Sequence, residues 1–204
     1  MPSPMSAAAA TALPSDQELL SRFASGERAA LDELFRRYRL PAYRVAYRLL
    51  GNEADALDAV QEGFVKALTH LSGFQGRSSF KTWLLRVVSN AALDLGRQRG
   101  RRETLSLDGG PGEAPGSPPR SHPALLTGDQ AGQGLEQADL RGLLERALAT
   151  LSDVQRQTFV LYADAELTYR EIAEVMGTSI GTVMSRLFYA RQKLRVFFGE
   201  RAVT

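Results

Sequence analysis

A chain of 204 residues, 44% hydrophobic and 24% charged, has the make-up of a soluble globular protein with room for one or two cored domains. It has no cysteine, which excludes disulfides, zinc ribbons and thiol catalysis, and its two histidines, His70 and His122, are too few for the common protein-built metal sites. The net charge of +2 says little about a nucleic-acid partner, but the charge is polarised: Asp94 is the single acid among Arg77, Lys81, Arg86, Arg97, Arg99, Arg101 and Arg102, whereas Glu53, Asp55, Asp58 and Glu62 crowd into 52–62.

No run of about 18 apolar residues is present to span a membrane. The opening M-P-S-P-M-S-A-A-A-A-T-A-L-P lacks the basic start and long apolar core of a signal peptide. Residues 1–14 are therefore expected to be a frayed tail, and the protein cytoplasmic, without membrane insertion.

Ser15 and Glu18 form a capping box that opens a first helix, with Leu19, Leu20 and Phe23 on one face and Gly26 as its stop. Leu31, Leu34, Phe35 and Tyr38 mark a second helix, and Pro41 is expected to kink or restart it. Val45, Ala46, Leu49 and Leu50 continue its apolar face to Gly51. Asn52 caps a third helix whose expected buried positions are Leu57, Val60, Phe64, Ala67, Leu68 and Leu71. After the glycine-rich loop Ser72–Ser79 a long helix begins near Phe80, buried along Leu84, Val88, Ala91 and Leu95. Arg86, Asn90 and Arg97 line its polar face, and it ends in R-Q-R-G-R-R.

From Glu103 to Gly134 the chain turns to Gly, Pro and Ser without periodicity, the composition of a flexible linker. Helical pattern resumes at Leu135 with Leu140, Leu143, Leu144, Ala147 and Leu148. Ser152 and Gln155 give another capping box before Phe159, Val160 and Ala163. The expected fold is all-α, two helical domains (15–102 and 135–200) joined by a linker (103–134), with no strand pattern.

The stretch Leu167–Leu194 reads as a helix-turn-helix. Thr168 and Glu171 cap its first helix, Ile172, Ala173 and Met176 form the apolar face, and Gly177 makes the turn because glycine alone enters the left-handed region without a Cβ penalty. Ser179 caps the second helix, in which Val183, Leu187, Ala190 and Leu194 form one buried stripe. Ser185, Arg186, Phe188, Tyr189, Arg191 and Lys193 lie off that stripe, a polar, basic and aromatic surface of the kind that enters a DNA groove.

Three stretches together resemble a bacterial RNA polymerase sigma factor of the sigma-70 family, extracytoplasmic-function group: D-A-L-D-A-V-Q-E-G-F-V-K-A (55–67), S-G-F-Q-G-R-S-S-F-K-T-W-L-L-R-V-V-S-N-A-A-L-D (72–94), and the helix-turn-helix with G-T-V-M-S-R-L-F-Y-A-R (181–191). The resemblance implies that 15–102 binds core polymerase and recognises and melts the promoter −10 element, and that 135–200 reads the −35 element. On the matching positions, core polymerase binding falls to Asp58, Gln61 and Glu62, one polar helix face able to make charge-assisted hydrogen bonds.

The −10 contacts implied are Phe74, Arg77, Lys81, Asn90 and Arg97, with Phe80 and Trp83 read as core packers and Asp94 as a structural hydrogen-bonding group. The −35 contacts implied are Met184, Ser185, Arg186, Phe188, Tyr189, Arg191 and Lys193. Met184 and Tyr189 stand where many family members carry arginine, the side chain that binds guanine bidentately, so an altered base preference is expected. The implied partners are core RNA polymerase, promoter DNA and an anti-sigma factor; no metal, cofactor or enzymatic step is expected. The two elements lie roughly 70 Å apart along the duplex, and about 30 linker residues reach that span only when extended. The rival reading, a regulator that binds operator DNA without polymerase, leaves the acidic helix and the aromatic loop unused.

Overall fold

The computed structural model describes residues 13–107 and 134–201; residues 1–12 of the expected tail and 108–133 of the expected linker lie outside them. The described residues form eight α-helices and no strand: α1 (Asp16–Ala24), α2 (Arg28–Leu50), α3 (Glu53–His70), α4 (Phe80–Leu107), α5 (Gly134–Ala149), α6 (Asp153–Ala163), α7 (Tyr169–Met176) and α8 (Ile180–Arg201), with a short 3₁₀ turn at Leu71–Gly73. The chain divides into two compact units, 1–37 and 38–204.

In the first unit the Ser15 hydroxyl accepts from the Glu18 N–H, capping α1 as its sequence dictates. Arg37 closes the unit by donating to Asp16 at 2.7 Å and to the Pro14 carbonyl at 2.8 Å. Leu19, Ala30, Leu31 and Leu34 are buried.

In the second unit α3 and α4 make the most extensive helix pair. Asn52 caps α3 by accepting from the Asp55 N–H at 3.1 Å. The buried face of α3 is Ala56, Ala59, Val60, Gly63 and Ala67. Leu57 and Leu68, expected inside, are 41% and 47% exposed. The stripe is rotated because small residues, not the larger leucines, face α4: a Cβ placed on Gly63 would stand 2.8 Å from Val88 Cγ2 and 3.0 Å from Val88 Cα. Such an approach of two backbones is open only to glycine. In α4, Leu84, Leu85, Val88, Ala91 and Ala92 are buried.

Two expectations about helix length change. Pro41 lies inside an unbroken α2, where no kink divides the helix into two elements. The long helix α4 runs through Gly100 to Leu107, five residues into the expected linker.

Helices α5, α6 and α8 share a hydrophobic cluster in which Ala147, Leu148 and Leu151 meet Ala190 and Leu194, with Leu144, Phe159 and Phe197 packed at its edge. Leu140 stands outside it, exposed. The Thr168 N–H donates to Glu171 Oε2 and the Glu171 N–H to the Thr168 hydroxyl, the reciprocal capping box that starts α7. Gly177 takes φ +59° and ends the helix, and Ser179 accepts from the Thr182 N–H at 3.1 Å to start α8. Val183, Leu187, Ala190 and Leu194 are all buried, which fixes the opposite face of α8 outward.

Candidate nucleic-acid interface

Helix α8 presents Met184, Phe188 and Tyr189 at 54%, 64% and 55% exposure, with Ser185, Arg191 and Lys193 exposed beside them. Large apolar side chains in solvent on a helix whose other face is fully packed are unusual enough to mark a contact surface. Phe188 and Tyr189 meet edge to face with centroids 5.4 Å apart. Tyr169, Met184, Phe188, Arg191, Gln192 and Arg195 line a depression of about 450 Å³. Its lining mixes the apolar Met184 and Phe188 with the polar Gln192 and the cationic Arg191 and Arg195.

Two arginines of this helix are held rather than free. The Arg191 guanidinium lies over the Tyr162 ring of α6, 5.0 Å from its centroid, and Tyr162 in turn leans on Tyr169 at 5.7 Å. Arg186 is half-buried, with Nη1 3.9 Å from the Met176 sulfur at the end of α7. Neither Tyr162 nor Tyr169 is singled out by the sequence, because an aromatic on a preceding helix carries no mark of the cation that it will support.

Arg77, in the loop before α4, is exposed, as are Arg86, Asn90 and Arg97 on α4, and Lys81 is half-exposed. Asp94 pairs with Arg97 at 3.3 Å, the structural role expected for this acid. Phe74 is half-buried in an aromatic cluster, 5.2 Å from Trp83 and 6.1 Å from Phe80 between centroids. Phe80 is buried outright. The Ser79 hydroxyl accepts from the Thr82 N–H at 3.0 Å and so caps α4, a signal present in the sequence but unused.

The acidic surface of α3 places Asp58, Gln61 and Glu62 together in solvent. Glu62 is paired with Lys66 at 2.6 Å, one turn on; Lys66 was not foreseen as part of this face. Among the described residues no cluster of histidine and carboxylate side chains is arranged to hold a metal ion. None of the described helices is long and apolar enough to cross a membrane.

Described residues that are helical throughout, with a helix-turn-helix whose second helix exposes an aromatic and basic face, define the class of a DNA-reading protein. Comparison with known proteins narrows the class. Residues 34–102 match the model for sigma-70 region 2 and residues 141–194 that for sigma-70 region 4. The sigma-H factor of Pseudomonas aeruginosa is 32% identical over 187 residues, 88% of this chain and 91% of the relative. The ECF sigma-E factor of Escherichia coli K12 is 33% identical, covering 88% and 92%. SigE of Mycolicibacterium smegmatis is 34% identical, but the chain spans only 66% of that longer relative.

Among solved structures, CnrH in complex with the cytosolic domain of CnrY aligns with TM-score 0.67 at 25% identity, covering 92% of this chain and 99% of the other. RpoE of Bartonella quintana bound to the anti-sigma factor NepR aligns with TM-score 0.59 at 28% identity, covering 82% and 97%. The chain belongs to the extracytoplasmic-function group of the sigma-70 family of RNA polymerase sigma factors.

Proposed function

We infer that the chain is a promoter-specificity subunit: it binds core RNA polymerase through α3, engages and helps to melt the −10 element through the 74–97 segment, and reads the −35 element through α8. The observation that carries this reading is the outward face of α8, built opposite a packed stripe, in a chain that also carries the region 2 helices. It performs no chemistry of its own and works in the cytoplasm, where polymerase acts.

The roles divide by chemical type. Asp58, Gln61 and Glu62 offer acceptors to a basic surface of polymerase. Arg77, Lys81 and Arg97 supply phosphate contacts, Asn90 a base edge, and Phe74 a stacking surface for an unpaired base. Along α8, Met184 and Phe188 meet thymine methyls, Ser185 and Tyr189 reach base edges, and Arg186, Arg191 and Lys193 hold the duplex. Domain limits of 15–102 and 135–200 follow the same division, the connection between them spanning the promoter when extended. An anti-sigma factor is the expected inhibitor, given that CnrH and Bartonella RpoE were solved with such partners. A regulator acting without polymerase is not favoured, because it leaves the region 2 match without a function.

The test is transcription in vitro with purified core polymerase on a promoter library. Selective initiation from a defined −35/−10 pair is expected; a protein that neither binds core nor directs initiation sinks the reading.

A further inference from the structure

Helix α4 carries two glycines near its end, Gly96 and Gly100, yet runs unbroken through both to Leu107. Glycine gives up more backbone freedom on entering a helix than any other residue, so a stretch with two of them calls for an outside hold. A Cβ at Gly96 would stand 3.3 Å from Leu50 Cδ2, so this glycine lets α4 lie close to α2. Gly100 has no such reason: a Cβ there would meet nothing within 4 Å. The hold comes from the residue before it. Arg99 Nη1 donates to Asp55 Oδ2, which joins the end of α4 to the first turn of α3, 44 positions earlier.

Asp55 is held ready for this contact. Its N–H donates to Asn52 Oδ1 at 3.1 Å, and its Oδ2 also accepts from Asn52 Nδ2 at 3.0 Å, so the N-cap of α3 fixes the carboxylate. Asp55 is half-buried, whereas Asp58 and Glu62 further along α3 face solvent. The pairing divides the basic run R-Q-R-G-R-R by helical phase. Arg99 falls seven residues after Ala92 and eleven after Val88, both buried, and so continues the seam toward α3. Arg97 and Arg101 fall seven and eleven residues after Asn90, on the exposed face that begins at Arg86. From Arg86 to Arg101 that face is roughly 22 Å long, enough to meet several phosphates of a duplex.

We propose that Asp55 is a positioning residue for promoter binding. Through Arg99 it keeps the last turns of α4 helical across Gly100, and so aims Arg97 and a further DNA contact, Arg101, at the phosphate backbone beside the −10 element. The proposal rests on the reading of the Arg86–Arg97 face as part of the −10 surface. Asp55 then serves the DNA side of the domain, although it opens the acidic stretch whose later members, Asp58 and Glu62, are offered to polymerase.

The test uses the full chain assembled with core polymerase and competition binding to duplex promoter DNA over a range of salt concentrations. Asp55→Asn and Arg99→Gln should each weaken promoter binding about fivefold and lower the slope of log affinity against log salt by about one to two, the share of one or two phosphate contacts. Affinity for core polymerase should not change. Gly100→Ala, whose methyl meets open space, should restore both readings in either variant, because it strengthens the helix directly. In a chain carrying Arg97→Ala and Arg101→Ala, Asp55→Asn should add nothing further. An unmoved salt slope in Asp55→Asn overturns the proposal, as does a loss that Gly100→Ala fails to rescue. A fall in core affinity instead would make Asp55 a polymerase contact and overturn it too. If Arg97→Ala with Arg101→Ala keeps full promoter affinity, the DNA reading of this face fails and the proposal with it; if that pair loses affinity while Asp55→Asn is silent, only the tether fails.

Discussion

The guanidinium of Arg191 rests over the ring of Tyr162, 5.0 Å from its centroid, which links the exposed surface of α8 to the helix that precedes the helix-turn-helix. Tyr162 is itself braced by Tyr169. The ring face attracts the cation and restricts its rotamers, so the charge is already positioned when a phosphate arrives. Tyr162→Leu should weaken −35 binding by about 0.5–1 kcal/mol, a factor of roughly two to five, the range for exposed cation–π pairs. Tyr162→Phe should restore it. In an Arg191→Ala background Tyr162→Leu should add nothing, as measured by competition binding of the polymerase holoenzyme to promoter DNA; additive losses would mean that the ring acts elsewhere.

Gly63 lets α3 and α4 approach until Val88 is within 3.0 Å of where its Cβ would be. Gly63→Ala gains about 1 kcal/mol of helix propensity, yet it must push a packed backbone aside, which costs about 1–3 kcal/mol. Net destabilisation is expected, seen as a lower Tm. A higher Tm would show that the helices can part without loss.

That glycine illustrates where the sequence stops being legible. Helix existence, caps and the buried stripe of α8 follow from local chemistry, and Thr168, Glu171, Gly177, Ser179, Val183, Leu187 and Leu194 all occupy the places that their types dictate. The phase of α3 does not, because periodicity favours the larger leucines while the partner surface accepts only small residues. Leu57 and Leu68 therefore stay outside, on the same helix as the acidic cluster. Pro41 is accommodated within a continuous α2, whose length is set by what it packs against rather than by propensity alone. Contacts such as Thr82 with Glu171 and Ser89 with Gln157 join residues far apart in the chain, and polar partners of this kind leave no periodic trace.

Asp58 and Gln61 are exposed on α3, and substitutions at such positions usually change stability by less than about 0.5 kcal/mol. Asp58→Ala combined with Gln61→Ala should therefore weaken core polymerase binding while leaving Tm nearly unchanged. Glu62 is best left intact in this experiment, since its loss would free Lys66 and alter the charge of the face. A marked fall in Tm would assign the pair to folding rather than to polymerase.

Glu171 links stability to pH. Its folded-state pKa lies below the ordinary 4.5, so the folded protein holds this proton less tightly than the unfolded chain. Its contribution is then complete above the unfolded value and is lost as pH falls through the lower folded one. Glu171→Gln keeps a side chain able to complete the capping box but removes the charge. The Tm difference between wild type and this variant should be constant near neutral pH and shrink as the solution is taken below the carboxylate range. A difference that persists unchanged in strong acid would show that charge at this position is irrelevant.

Met184 and Tyr189 stand exposed beside Phe188 on α8. Arg186, on the flank toward α7, is half-buried against Met176. The reachable surface at Met184 is therefore apolar, suited to a thymine methyl and unable to hydrogen-bond guanine. Met184→Arg would place a bidentate donor on the same exposed face, without touching the stripe of Val183, Leu187 and Ala190. Discrimination of about 1–3 kcal/mol accompanies a good arginine–guanine pair. Transcription from a randomised −35 library should then shift toward guanine at one position, by roughly tenfold in enrichment, while −10 preference stays as it was. An unchanged −35 preference, with the variant still initiating, would remove Met184 from the base-reading face and leave the choice of promoter to Tyr189 and its neighbours.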